Sequence, residues 1–356
     1  MKLSILQENL TQAVSTAGRA AATKASLPIL NHLLLVTDQG RLKISATNLE
    51  IGVTSWVGAK VEKEGSLAVP ARVLQELLSS LPPGKLELEV VKGNLHVSAG
   101  SVEANISGIE GSEFPAVPSF PKEGTATLPA KDLAQSIDEV AYAAAAEEGR
   151  PVLTGVLWRV KDSLMELVAT DGYRLAYKKV TLPTKQEKDW QVVVPARALQ
   201  EVARAVGELT SRGEAPEEVR LSLDAGENQI SFSLGNIELT SRLIEGSYPS
   251  FEQIIPDSFA ARGIFSKDEL VQAVRLATVF ARDLGNIVRL KLSPGGLELS
   301  ANTAQVGDER TEVKGEVEGE EISVAFNSRY LLDALARFQK SQVSFEIKSN
   351  LSPGVF

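Results

Sequence analysis

The sequence predicts an α+β protein of three similar domains, each with two helices packed on two antiparallel sheets. The first observation is an internal repeat: Val69–Leu77 recurs almost unchanged as Val194–Val202, with a weaker third copy at Phe326–Ala334. Successive copies start 125 and 132 residues apart, which is the size of a domain and too long for a solenoid repeat. The second observation is that apolar residues alternate with polar ones after each copy, a pattern typical of antiparallel hairpins with one buried face.

Each copy is predicted to be a strand end that turns into a helix. Pro70 and Pro195 supply a fixed φ at the helix start, and Asn327 with Ser328 takes that place in the third copy. Another helix is predicted before each copy from apolar pairs one helical turn apart: Leu10 and Val14, Leu133 and Ile137, Leu270 and Val274. The six predicted helices are 7–24, 71–81, 131–147, 196–212, 267–282 and 328–340.

The domain boundaries are predicted from a phrase that closes the first two repeats. Gly111–Pro115 matches Gly246–Pro249, and both are followed by stretches rich in proline. We therefore place the domains at residues 1–121, 122–255 and 256–356. Few residues follow the last predicted strands of the third repeat, so we expect that domain to lack its C-terminal strands.

Composition limits the class of protein. The chain has 356 residues, of which 43% are hydrophobic and 23% are charged, as in a soluble globular protein. It has no cysteine, which excludes disulfides and thiolate metal sites and fits a reducing cytosol. No apolar run approaches the roughly 20 residues of a membrane helix, and the N-terminus becomes polar too soon for a signal peptide. We expect a cytoplasmic protein that does not bind membranes.

Sequence motifs for catalysis are absent. There is no phosphate-binding loop, dinucleotide fingerprint or metal-binding His-Glu motif, and the two histidines, His32 and His96, are interpreted as ordinary strand residues. We predict no catalytic residue, no metal and no cofactor. An enzyme that uses scattered carboxylates, built on the triplicated scaffold, stays open as an alternative.

The distribution of charge is uneven. The net charge of −9 argues mildly against nucleic acid, yet the six predicted helices sum to +2 and the remainder to −11. An arginine recurs near the start of each repeated helix, at Arg72, Arg197 and Arg329. Two interpretations are equally open for it: an ion pair with the acidic residue four positions on, or a cation that faces an anionic partner.

Four motifs in this order are similar to those of one known family. They are Leu27–Leu30, Val168–Ala176, Val194–Arg197 and Ser241–Pro249. The chain resembles the bacterial DNA polymerase III beta subunit, the sliding clamp, over residues 1–356. The resemblance implies the DNA-clamp fold and a non-catalytic processivity factor of DNA replication. It also implies a head-to-tail homodimer whose helices line a hole around duplex DNA, held topologically and without sequence specificity.

The resemblance further implies partners and sites. The partners would be the replicative DNA polymerase, the clamp loader and repair polymerases, docking through short clamp-binding peptides, in the bacterial cytoplasm at the nucleoid. Dimer contacts are expected at Val279 and Phe280, and DNA contacts at Lys24, Arg72, Arg150, Arg197 and Arg329. The peptide pocket, between the second and third domains, is expected at Leu153, Thr170, Gly172, Tyr173, Arg174, Leu175, Pro249 and Ile254.

Two expectations qualify this interpretation. Relatives continue past the position of Phe356 with a strand and a tail that forms one side of the pocket, so we expect weak peptide binding or none, and recovery when the tail is restored. A clamp-like scaffold that binds only proteins is a second alternative, which DNA-dependent stimulation of a polymerase would distinguish.

Overall fold

A computed structural model describes residues 1–22, 27–121, 126–147, 149–186, 188–224, 226–282, 285–303 and 307–356. The chain packs as two units, Met1–Gly246 and Ser247–Phe356, and each is described by itself. Within the described ranges, no helix is long and apolar enough to cross a membrane.

Six α-helices are present in the described residues, two in each repeat. They are α1 (Gln7–Gly18), α2 (Ala71–Ser80), α3 (Ala130–Val140), α4 (Ala196–Ser211), α5 (Lys267–Ala281) and α6 (Ser328–Leu335). Their starts agree with the sequence pattern to within one residue. Pro70 and Pro195 occupy the cap position just before the helix, and the side chain of Asn327 caps α6 by accepting from the backbone N–H of Arg329.

Three predicted helix ends are wrong. Helix α1 ends at Gly18 instead of residue 24, α3 at Val140 instead of 147, and α6 at Leu335 instead of 340. After Val140 the backbone tightens into a 3-10 turn, Ala141–Ala143. No glycine follows these ends to mark a C-cap, and after α1 and α3 alanine-rich stretches continue the helical pattern.

The first unit contains seventeen strands within its described residues, which build the first two repeats. In the first repeat they are β1 (Lys2–Leu6), β2 (His32–Asp38), β3 (Arg41–Thr47), β4 (Ile51–Gly58), β5 (Lys60–Lys63), β6 (Ser66–Pro70), β7 (Lys85–Val91), β8 (Asn94–Ala99) and β9 (Val102–Ser107). In the second they are β10 (Ala126–Pro129), β11 (Gly155–Lys161), β12 (Leu164–Thr170), β13 (Leu175–Thr181), β14 (Trp190–Pro195), β15 (Glu218–Leu223), β16 (Gln229–Leu234) and β17 (Ile237–Arg242). His32 and His96 lie in strands, as predicted.

One sheet runs across the first two repeats. Its order is β10-β15-β16-β17-β4-β3-β2-β6, and the joint is the antiparallel pair β17–β4, from Ile237 opposite Ser55 to Ser241 opposite Ile51. The outer sheets of this unit are β5-β1-β7-β8-β9 and β13-β12-β11-β14. The shared sheet and a single apolar core explain why these two repeats pack as one unit.

Charged side chains strengthen that joint from the helix side. Helix α1 packs on α2, and α3 packs on α4. Arg19, just past the end of α1, forms ion pairs with Glu201 and Glu208 of α4, and its side chain is only 19% exposed. The first and second repeats are therefore joined by a sheet on one side and by an ion-pair cluster on the other.

The second unit has its own core and seven strands in its described residues. They are β18 (Ala261–Ser266), β19 (Ile287–Ser293), β20 (Gly296–Thr303), β21 (Gly307–Gly319), β22 (Ile322–Asn327), β23 (Gln342–Ile347) and β24 (Gly354–Val355), in the order β22-β19-β20-β21-β18-β23-β24. The long strand β21 pairs first with β20 and then with β18, which divides the array into two sheets. The two-residue β24 pairs with β23, and Phe356 stacks on Phe345.

Candidate nucleic-acid interface and docking turn

The repeated arginine occupies the second residue of α2, α4 and α6, and it is exposed in all three. The first turns of these helices contain no acidic residue, whereas Glu8, Asp132 and Asp268 stand in the first turns of α1, α3 and α5. A helix N-terminus carries a partial positive charge, so a cation there is disfavoured by the helix itself. The helix dipole therefore does not explain why a cation stands at these three helix starts.

One interpretation of the repeated arginine fits the first repeat, and the other fits the second and third repeats. Arg72 forms the i,i+4 ion pair, with its Nε 2.7 Å from Glu76 Oε1. Arg197 does not, because Glu201 instead contacts Arg19 at 3.9 Å and Arg204 at 3.8 Å. Neither Arg197 nor Arg329 has an ion-pair partner in the part of the chain that the structure describes. Their cations are therefore available to an external anion.

The other two predicted DNA contacts are Arg150 and Lys24. Arg150 is exposed and directly precedes the 3-10 turn Pro151–Thr154, whose Leu153 N–H donates to the Arg150 carbonyl at 2.9 Å. Lys24 lies outside the described residues.

The predicted positive sum of the helices is wrong. Within their observed bounds the six helices carry seven Lys and Arg against ten Asp and Glu. Five other cations assigned to helices lie at or beyond the C-terminal ends, Arg19, Arg212, Arg282, Arg337 and Lys340, and Lys24 lies outside the described residues. Positive charge is therefore localised at particular positions and is not a general property of the helices.

Six of the predicted pocket residues belong to the first unit, and five of them lie in one turn, which we call the docking turn, Thr170–Leu175. Thr170 Oγ donates to the carbonyl of Arg174 at 2.6 Å and accepts from Gly172 N–H at 3.0 Å. Asp171 Oδ1 accepts from the N–H groups of Tyr173 and Arg174, at 2.9 and 3.0 Å. Gly172 has a φ of +93°, which favours glycine.

The side chains of the docking turn differ sharply in exposure. Tyr173 is 85% exposed, Leu175 is half-buried, and Leu153 is buried in the preceding 3-10 turn. Arg174 is held, with its Nε 3.1 Å from Asp171 Oδ2 and its guanidinium carbon 5.4 Å from the ring centre of Tyr142. Sequence reasoning missed Tyr142 because it lies outside the motif, in the 3-10 turn after α3.

The remaining predicted residues belong to the second unit. Pro249 is exposed and Ile254 is 48% exposed. Val279 is 52% exposed on α5, one turn from Leu276 at 46%, whereas Phe280 is half-buried against the core of this unit and its carbonyl accepts from the Thr303 hydroxyl. Val279 is thus the freer of the two predicted dimer contacts. Among the described residues, no group of three or more His, Asp or Glu is placed to hold a metal ion.

Comparisons with known proteins cover the whole chain. Models of the N-terminal, central and C-terminal domains of the DNA polymerase III beta subunit match residues 1–118, 127–250 and 252–356. The beta sliding clamp of Synechococcus elongatus is 32% identical over 361 residues, spanning 100% of this chain and 95% of that protein. That of Synechocystis is 30% identical over 380 residues, with the same coverage.

Solved structures agree. The sliding clamp of Bacillus subtilis matches with a TM-score of 0.93 at 26% identity, covering 99% of this chain and 94% of that one. The Pseudomonas aeruginosa clamp bound to griselimycin matches with a TM-score of 0.91 at 27% identity, with the same coverage.

The repeated helices and sheets, matched over 94% to 95% of the length of known clamps, define a DNA sliding clamp, a non-catalytic accessory subunit of a polymerase. The chain belongs to the DNA polymerase III beta subunit family. The predictions of fold class, family and function are thereby confirmed, and the alternative of a carboxylate-using enzyme is not supported.

Proposed function

We propose that this clamp contacts DNA phosphates through the arginines at the starts of α2, α4 and α6, as two copies close head to tail around the duplex. The observation that carries the proposal is one exposed arginine at the same helix position in all three repeats. A phosphate near a helix N-terminus is favoured by the backbone N–H groups as well as by the arginine. Such contacts are independent of base sequence, which suits a protein that slides.

The test is the salt dependence of DNA binding by the full chain. The triple variant Arg72→Glu, Arg197→Glu and Arg329→Glu should lower the magnitude of the salt slope by about 2.7, or about 0.9 for each lost phosphate contact. The matched control reverses three exposed lysines elsewhere, at Lys85, Lys185 and Lys188, and changes net charge equally. An unchanged slope in the triple variant, or an equal loss in the control, would contradict the assignment.

The three single variants should weaken DNA binding to different extents. Arg72 already pairs with Glu76, whereas Arg197 and Arg329 have no such partner in the described ranges. Reversal at Arg197 or Arg329 should therefore weaken DNA binding more than reversal at Arg72. Arg150 and Lys24 remain predicted contacts of the same kind.

We propose that the dimer repeats the joint seen between the first two repeats. Strand β9 holds the place of β17 in the first repeat, and the first half of β21 holds the place of β4 in the third. β9 is an edge strand, and Gly307–Lys314 pairs with β20 on one side only, within the described residues. Unpaired strand edges are templates for strand addition, so β9 of one copy would pair with β21 of another.

The pairing of β17 with β4 predicts which residues of β9 and β21 lie opposite each other in the dimer. Glu238 lies opposite Thr54 across β17–β4, and the matching hairpin positions are Glu103 in β9 and Arg310 in β21. Glu103→Arg or Arg310→Glu should each give monomers at micromolar concentration by sedimentation, and the double charge swap should restore the dimer. Dimers in both single variants would contradict the register. Val279→Ala with Phe280→Ala should also give monomers, and Val279→Ala alone tests the contact without disturbing the core.

We propose that replicative and repair polymerases and the clamp loader dock through peptides at Leu153 and the docking turn of the first unit. Pro249 and Ile254, in the second unit, remain predicted pocket residues. The exposed Tyr173 and the partly exposed Arg174 support this role, because aromatic and arginine side chains supply much of the energy at interfaces. Griselimycin, which the Pseudomonas aeruginosa clamp binds, is a suitable probe. Tyr173→Ala should weaken its binding about tenfold, and equal affinities would contradict the site.

Two further assignments are proposals of the same kind. The domain limits are 1–121, 122–255 and 256–356, close to the spans of the three family models. The protein acts in the bacterial cytoplasm at the nucleoid, where its DNA is.

A further inference from the structure

The joint between the first two repeats contains a cavity of about 390 Å³. It lies between α1 and the C-terminal end of α4, where the pairing of β17 with β4 ends. Just beyond the last pair, Ile237 opposite Ser55, the Trp56 N–H donates to the Asn236 carbonyl at 2.9 Å. Sites for small organic ligands typically enclose about 300 to 1,000 Å³, so this cavity is large enough for one such molecule.

Two side chains that line the cavity are buried and end in hydroxyls. Thr16 is 5% exposed and Ser55 is 3% exposed. Neither hydroxyl forms a hydrogen bond within the part of the chain that the structure describes, so both are available to a molecule in the cavity. The buried apolar side chains of Ala13 and Val57 line it too. A hydroxyl in such surroundings gains from a hydrogen-bond partner.

The position of Thr16 is occupied differently in the other two repeats. In the alignment of the repeated helices, Thr16 corresponds to Glu139 of α3 and Leu276 of α5. The carboxylate of Glu139 is bound by Gln135 and Lys178, at 2.7 and 2.6 Å. Both residues are larger than threonine, so Thr16 leaves room that neither of them would leave. The repeated helix therefore does not require this cavity.

The mouth of the cavity carries both signs of charge. Arg212 and Glu214 line it, are exposed, and form no ion pair with a described residue. Their backbone N–H groups both donate to the Leu209 carbonyl, at 3.2 and 2.9 Å, which fixes the backbone that presents the two side chains. The carboxamides of Asn9 and Gln12, three residues apart on α1, line the wall that this helix forms. The lining therefore changes from apolar groups and hydroxyls inside to amides and charges outside.

We propose that this cavity binds a ribonucleoside monophosphate, with the base inside and the phosphate at the mouth. The flat base suits the apolar inner walls, and its edge carries donors and acceptors that carboxamides and hydroxyls can pair with. The guanidinium of Arg212 suits the phosphate. The carboxylate of Glu214 would accept from the ribose hydroxyls, as acidic side chains do in dinucleotide sites. The cavity contains neither the docking turn nor the arginines at the helix starts, so the inference is independent of both proposals.

The experiment titrates the full-length chain, without DNA, with the 5′-monophosphates of adenosine, guanosine, cytidine and uridine. Binding is followed by saturation-transfer NMR of the nucleotide and by calorimetry. At least one nucleotide should bind saturably, and about tenfold more tightly than its nucleoside, which lacks the phosphate. Its 2′-deoxy form should bind about threefold more weakly, because one ribose hydroxyl is lost.

Variants assign each part of the nucleotide to a side chain. Arg212→Gln should abolish the preference for the nucleotide over its nucleoside, and Glu214→Gln should abolish the preference for ribose over deoxyribose. Thr16→Leu, which installs the residue of the third repeat, should fill the cavity and abolish binding. The matched controls are Arg204→Gln, elsewhere on α4, and Thr11→Leu, on α1 but outside the cavity lining. Both controls should leave the affinities unchanged.

A second cavity variant decides the test if Thr16→Leu does not fold. Gly58 lines the cavity at the exposed end of β4, and a Cβ added there meets nothing within 4 Å. Gly58→Phe should therefore block the mouth without overpacking and also abolish binding. Failure of all four nucleotides to bind the wild-type chain would overturn the proposal. Undiminished binding in the cavity variants, or a nucleotide preference retained in Arg212→Gln, would overturn it as well.

Discussion

Two turns that lie 123 residues apart have the same backbone and different surroundings. In Thr47–Ile51, the Thr47 hydroxyl donates to the Ile51 carbonyl and accepts from the Leu49 N–H. Asn48 Oδ1 accepts from the N–H groups of Glu50 and Ile51. The docking turn repeats each of these bonds with Thr170 and Asp171. Threonine followed by Asn or Asp is therefore sufficient for the turn, because both side chains satisfy its backbone.

The difference lies in what each turn faces. The first is closed: Arg242 N–H donates to the Glu50 carbonyl, and β17 pairs with the strand that starts at Ile51. The second leaves Tyr173 exposed, and β13 is the edge of its sheet among the described strands. One turn design thus serves as a structural joint in one repeat and, by our proposal, as a docking surface in the other.

The largest effect is expected from giving Gly52, which follows the first turn, the leucine that the docking turn has at the equivalent position. Gly52 holds the place of Leu175, and a Cβ there would lie 2.8 Å from Thr240 Oγ1 and 2.9 Å from Val117 Cγ1. Gly52→Leu should destabilise the first unit by about 3 kcal/mol through overpacking. All three tryptophans of the chain, Trp56, Trp158 and Trp190, lie in that unit, so their fluorescence during urea unfolding measures it. A stability loss below about 1 kcal/mol would show that the joint is looser than its geometry indicates.

Removing the hydroxyl from each turn tests whether the two designs are equivalent. Thr47→Val and Thr170→Val should each cost about 1 to 2 kcal/mol, since both side chains are 6% exposed and each hydroxyl serves two backbone groups. Near-equal losses in urea unfolding are expected. A loss of stability in only one variant would mean that the other turn is stabilised by its surroundings and not by its threonine hydroxyl.

Substitutions at the third residue of each turn should change the stability of the first unit in opposite directions. Leu49 has a φ of +75° and is 45% exposed, whereas Gly172 has a φ of +93° with nothing within 4 Å of an added Cβ. Leu49→Gly should gain up to about 1 kcal/mol from relieved backbone strain, and Gly172→Ala should lose about 1 kcal/mol. The same sign in both would contradict a common backbone geometry.

The smallest expected effect is on the stability of the first unit at low pH. Burial raises the pKa of Glu166, but hydrogen bonds from Tyr177 and Arg159 outweigh it, so the pKa lies below the ordinary value of 4.5. Its stabilisation is therefore present above the unfolded pKa and is lost as the pH falls through the lower, folded pKa. Lys43 stands at the equivalent position of the first repeat. Glu166→Gln should flatten the stability of the first unit between about pH 5 and 3, and an unchanged acid slope would remove Glu166 as a contributor.

The sequence by itself determined the threefold repeat, the six helix starts and the family, and it holds the residues that make both Thr-Asx turns. Each depends on a few neighbouring residues, such as Asn327 at its helix cap or Thr170 with Asp171, because caps and turns are satisfied locally. The ends of α1 and α3 were missed, since alanine-rich stretches lack a local stop signal.

Only the tertiary structure decided which residues meet across the repeats. Glu201 is four residues from Arg197 and yet binds Arg19, because α1 and α4 are brought together by the joint of β17 and β4. Tyr142 reaches Arg174 across 32 residues for the same kind of reason. Ion pairs, stacked rings and strand partners of this kind depend on where whole elements pack, and local periodicity carries no record of that.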